Sequence, residues 1–212
     1  LDRVTSLDTP GAKRAASSLL SLRAQVHLFQ DRPRDAIAIA TKVVSEAEAL
    51  GPSMALARAY SVLEGGYLDI GEHDNAVYEE RALEILREIG AARPAAVVEM
   101  NLGVKAYAEG RWRDATRLYS HARDEFERLG DSTQAAHAGA NLGEVLVSRG
   151  SLDEAETVLS EAQRTLRASE FLFAAVFCEV QLARLAIARG DLPTAIEDLT
   201  RSVDEARSLG NV

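Results

Sequence analysis

A turn residue followed five positions later by alanine recurs along this chain at a nearly constant interval. The pairs are Asp31 and Ala36, Gly71 and Ala76, Gly110 and Ala115, Gly150 and Ala155, and Gly190 and Ala195, which sets successive alanines 40, 39, 40 and 40 residues apart. A second signal, an apolar residue and then glycine, keeps phase at Leu50-Gly51, Ile89-Gly90, Leu129-Gly130 and Leu209-Gly210, with its missing member placed at Ala168-Ser169. Asn-Leu-Gly occurs at 101–103 and again at 141–143. Self-similarity at such a period marks a repeat architecture, in which each unit buries its apolar face only by stacking on its neighbours.

Between the signals the apolar spacing is helical. Residues 93–109 and 113–129 carry apolar positions three and four apart, with charges between them. Each unit therefore reads as helix A, a tight turn, helix B, and a glycine that ends B in a left-handed cap. Pro33 and Pro193 suit a first helical position, and Ser151 and Asp191 suit N-caps. The small alanines, with Gly103 and Gly143, are expected where helices A and B approach closely. The column Pro33, His73, Trp112, Leu152 and Leu192 is expected to plug the end of each pair.

These residues resemble the tetratricopeptide repeat (TPR) family. Leu102-Gly103, Ala115, Tyr119 and Ala122 match its pattern in type and spacing, and Leu142-Gly143, Ala155, Leu159 and Ala162 match it with one aliphatic replacement. Repeats one, two and five keep the turn and the alanine but lack the Leu-Gly pair. The period of about 40 exceeds the usual 34, as in the longer repeats of kinesin light chains, spindle-orientation adaptors and multidomain bacterial signalling regulators. The resemblance implies an all-α, right-handed superhelical solenoid of antiparallel helix pairs. A single solenoid over 1–212 is expected, with repeats at about 12–51, 52–90, 91–130, 131–169 and 170–210 and the end of a preceding helix at 1–9. Neither end carries a polar capping repeat, so a segment of a longer regulatory protein, or a homodimer formed through uncapped ends, is expected.

Composition excludes several functions. A net charge of -9 opposes nucleic-acid binding, because phosphate contacts need clustered Lys and Arg. No apolar run nears the roughly 20 residues that span a bilayer, so no membrane partner is expected. The lone Cys178 fits a reducing compartment such as the cytoplasm. His27, His73, His121 and His137 fall in different repeats without metal-ligand spacing, and no nucleophile elbow or phosphate-binding loop is present. A protein that is not an enzyme and carries no metal or cofactor is expected.

What remains is a surface for a protein or peptide. In the family this chain resembles, helix A lines the concave groove. Aligned on the alanines, Asn101, Asn141 and Gln181 fall at one position, and carboxamides spaced along a groove can both donate to and accept from an extended backbone. Asparagines serve that role in the long-period relatives, so the resemblance implies it here. Around this ladder the same face carries Val97, Met100, Val104 and Tyr107 in repeat three, His137, Glu144 and Val147 in repeat four, and Phe173, Phe177, Val180 and Arg184 in repeat five. Met100, Ala140 and Val180 precede the ladder residues where some relatives hold a carboxylate-binding lysine, which disfavours C-terminal carboxylate capture. Two readings stay open: a groove that binds a peptide or helix, and a structural spacer or oligomerisation arm contacting through its ends.

Overall fold

The structure is a computed structural model that describes residues 9–208 and 210. These residues form ten α-helices: α1 Pro10–Phe29, α2 Pro33–Ala47, α3 Met54–Asp69, α4 Glu79–Glu88, α5 Ala92–Ala108, α6 Trp112–Arg128, α7 Ser132–Ser148, α8 Leu152–Ala168, α9 Leu172–Ala188 and α10 Leu192–Ser208. Among the described residues there is no strand. The helix expected at 1–9 lies outside the described residues except for Thr9. That residue is extended and caps α1, its hydroxyl accepting from the Ala12 N–H.

One turn geometry joins most of the helices. At Gly110 (φ 74°) the backbone enters the left-handed region, and the N–H groups of Gly110 and Arg111 reach back to the carbonyls of Tyr107 and Ala106. That closes the last turn of α5 and reverses the chain within two residues. The same paired bonds recur at 71, 90, 130, 150 and 190, and also at Asp31 (φ 56°) and Glu170 (φ 57°). Glu170 therefore occupies the cap expected at Ala168-Ser169, after Ser169 rather than on it. The alanines of the repeat signal are buried throughout: Ala36, Ala76, Ala115, Ala155 and Ala195 are all at or below 1% exposure.

Three local expectations are corrected. Ser151 precedes α8 without a side-chain capping bond, whereas Asp191 and Asp131 accept from Thr194 and Gln134. The plug column is open at Trp112 and Leu192, which are 41% and 56% exposed. In repeat two helix B begins late, at Glu79, after a 3-10 turn at His73–Asn75. The cause lies on α3. Seven residues before the turn glycine, where repeats three and four have Gly103 and Gly143, repeat two has Glu64. Its buried carboxylate accepts the Tyr78 N–H at 2.6 Å, which holds the start of α4 past the alanine.

The chain divides into two compact units, one ending at Val98 and the other beginning at Glu99, within α5. In the first, α2 packs between α1 and α3 around Ala24, Ala40, Val43, Ala59 and Leu63. Gly66 admits Ile37, and the rings of Tyr60 and Tyr67 stack on Tyr78. In the second, α6 to α10 pack in sequence around Phe126, Val145, Leu146, Leu159 and Leu166. Its A helices lie against their B helices where Tyr119 covers Gly103 and Leu159 covers Gly143.

Candidate functional site

Ala-rich α7 and apolar α9 hold ten and nine buried residues of seventeen, so only a narrow strip of each of these two helices reaches solvent. The amide ladder is graded in exposure. Asn101 is exposed, Asn141 is half-buried and Gln181 is buried at 3%. The Asn141 carboxamide makes no hydrogen bond with another described residue.

Gln181 is covered by a polar network. Arg184 donates to Gln181 Oε1 at 2.6 Å and to Glu144 Oε1 at 3.4 Å, and Gln181 Nε2 lies 3.5 Å from that same carboxylate oxygen. Arg184 also reaches Ser148 Oγ at 3.4 Å, and Ser148 pairs with Tyr107 Oη at 2.9 Å. Burial pushes the Glu144 carboxyl above its usual range, while Arg184 and the Tyr107 hydroxyl counter this. Burial, with the Glu144 charge, pushes the Tyr119 phenol up as well. Tyr107, Glu144, Gln181 and Arg184 thus form one connected group on three successive A helices. Ser148, which links it, had no signal in the sequence, because the equivalent positions are Ala108 and Ala188.

The apolar members of the face divide. Val97, Val104 and Phe173 are 37%, 53% and 69% exposed, Phe177 and Val180 are half-buried, and Met100 and Val147 are buried. His137 sets its ring edge-on to Phe171 at 5.6 Å, and burial pulls its pKa down. Cys178 is fully buried and its thiol is pushed up to about 12 by burial, with the neighbouring Glu179 charge adding to it. A thiol so placed is a packing residue rather than a nucleophile. Among the described residues there is no group of three or more His, Cys, Asp or Glu arranged to hold a metal ion. No described helix is long and apolar enough to cross a membrane.

No protein-family model matches the chain, and no curated protein matches it. Solved structures do match. BtubC (BKLC) from P. vanneervenii superposes with a TM-score of 0.77 at 21% identity, over 100% of this chain and 87% of that one. A putative kinesin light chain from Podospora anserina with nearly identical TPR-like repeats gives 0.70 at 15% identity, over 95% and 99%. A Rap protein complexed with Competence and Sporulation Factor gives 0.72 at 19% identity, over 92% of this chain and 53% of that one. At these identities the likeness is one of fold, and the fold of this chain is the all-α, TPR-like helical repeat.

Proposed function

We propose that this protein is a non-enzymatic interaction module whose A-helix face in the second unit binds an extended segment of another protein. The observation that carries this reading is Asn141. Its carboxamide is half-buried and unsatisfied by any described residue, between the exposed Asn101 one repeat earlier and the Gln181–Arg184–Glu144 group one repeat later. A half-buried amide with unfilled donors and acceptors suits a peptide backbone. Exposed Val104 on α5 and Phe173 on α9 supply apolar surface on the flanking A helices. The Rap protein of the same fold was solved in complex with Competence and Sporulation Factor, which supports a partner of this kind. The test is selection of binders from a displayed peptide library, followed by Asn101→Ala with Asn141→Ala. Binding is expected to fall at least tenfold with helicity and Tm retained, and undiminished binding overturns the reading.

A second reading rests on the terminal helices. In α1, Leu19, Leu22, Val26 and Phe29 recur at helical spacing and are 46–80% exposed, and in α10 Leu192, Ile196 and Val203 are 47–66% exposed. Apolar faces of this type suit stacking on a second copy, which makes the chain an oligomerisation arm. Sedimentation is then expected to show association that weakens when Leu22 and Phe29 are changed to Asp. A monomer at all accessible concentrations removes this alternative.

A further inference from the structure

In the second unit a cavity of about 360 Å³ between α6, α7 and α8, beside Gly139 and Arg123, sets Glu127 and Glu161 against one arginine. A larger one, of about 640 Å³, has the opposite character. It opens where the turn into α6 meets the end of α7, lined by Gly110, Arg111, Trp112, Arg113, Asp114 and Arg149. Three guanidiniums share it with one carboxylate, in a chain whose net charge is -9. Its walls are open to solvent: Arg113 and Arg149 are exposed, and so is Trp112 at 41%.

The next repeat shows how an arginine at this place is ordinarily satisfied. Arg189, like Arg149, stands just before its turn glycine, and it donates from Nη2 to Asp153 at 2.6 Å and from Nη1 to Glu156 at 2.7 Å. In the register of Arg149 those two carboxylates become Arg113 and Thr116. Arg149 still reaches across to α6, where Nη1 donates to Thr116 Oγ1 at 3.0 Å. It finds a hydroxyl in place of one carboxylate and shares the pocket with a second guanidinium in place of the other. Neither Arg113 nor Arg149 makes an ion pair with a described residue, and Arg113 makes no hydrogen bond with one. Asp114 and the nearby Glu109 are committed to Arg111. Like charges brought to one pocket repel, and an anion between them relieves the repulsion and takes up the unused donors. The planar fork of a guanidinium matches a carboxylate with two parallel bonds.

We infer that this pocket is a binding site for the carboxylates of an acidic segment of another protein, taken between Arg113 and Arg149 with Trp112 as an apolar wall. The ligand supplies from outside what Asp153 and Glu156 supply to Arg189 from within. Arg149 follows Asn141 by eight residues, about 12 Å along the helix axis. The site therefore stands at the turn end of the repeat and does not rest on the amide ladder.

Trp112 is the one tryptophan of the chain, so its indole N–H resonance reports directly on this pocket. Acetylated, amidated tetraglutamate is titrated into the intact protein at low salt, beside tetraglutamine and inorganic phosphate. A saturable shift of that resonance is expected with tetraglutamate, weakening as salt is added, and none with tetraglutamine. Arg113→Gln and Arg149→Gln are each expected to weaken binding by about fivefold with Tm retained. Arg164→Gln, which removes an exposed and unpaired arginine on α8, is expected to leave it unchanged. Arg113→Asp restores the residue type found at 153 and is expected to abolish binding by pairing with Arg149. An equal shift with tetraglutamine, no saturable shift with tetraglutamate, or binding that survives the substitutions at 113 and 149 overturns the inference. Saturation by phosphate at lower concentration than by tetraglutamate overturns the carboxylate assignment in favour of a phosphorylated ligand. Self-association that Arg149→Gln abolishes overturns the partner in favour of a second copy of this chain.

Discussion

At the scale of single residues, three glycines inside A helices have different reasons to be there. The Tyr119 ring lies where a Cβ on Gly103 would stand, and Leu159 does the same at Gly143, whereas Gly139 has room. Replacing Gly by Ala inside a helix gains about 1 kcal/mol of intrinsic propensity, and forcing a methyl into a filled contact costs about 1–3 kcal/mol. Gly103→Ala and Gly143→Ala are therefore expected to lower the urea midpoint, and Gly139→Ala to raise it by the equivalent of about 0.5–1 kcal/mol. A uniform response at all three positions would show that these contacts relax freely. The first two glycines were legible in the sequence because a Leu-Gly pair repeats in phase with the alanine. The burial of Gln181 was not, because a glutamine in the register of two asparagines carries no sign that Arg184 and Glu144 will close over it.

At the scale of elements, polar contacts that bridge repeats tie several helices of the second unit together. Arg167 on α8 pairs with Glu179 on α9 and with Glu205 on α10, so one guanidinium joins three helices. Burial raises the Glu179 carboxyl, but Arg167, Gln163 and Ser202 outweigh it and hold the group below its usual range. A depressed folded pKa means that the unfolded chain binds the proton first as pH falls. The stabilisation is thus complete above the unfolded value of about 4.3 and is lost as pH drops through the folded value. Arg167→Met strands a buried charge and is expected to cost about 3 kcal/mol at pH 7, the low end for a broken buried pair because Arg167 is 38% exposed. Chemical denaturation at pH 7 and pH 3 should show that cost shrinking in acid, and a cost independent of pH would show that Glu179 is not its source. The late start of α4 belongs to this scale too. A turn and an alanine predict the same helix in every repeat, yet Glu64 on the facing helix claims the Tyr78 N–H and shortens it.

For the molecule as a whole, net charge bears on the class of partner and periodicity on the fold. At -9, with arginines such as Arg111, Arg128 and Arg189 already paired to carboxylates, the chain is expected to pass unretained through heparin resin at 0.1 M salt. Retention that declines with added salt would reveal a phosphate-binding surface. The helix count, the positions of the reversals and the repeat fold were determined by the sequence alone, because left-handed turns, small contact residues and apolar spacing are local requirements that recur in phase. Which members of the A-helix face stay open to solvent was decided only by the tertiary structure. So was the cavity at Gly139. The cover over Gln181 comes in part from Glu144 one repeat away, and the space beside Arg123 lies between three helices, and a linear pattern records the register of those side chains but not how far they reach.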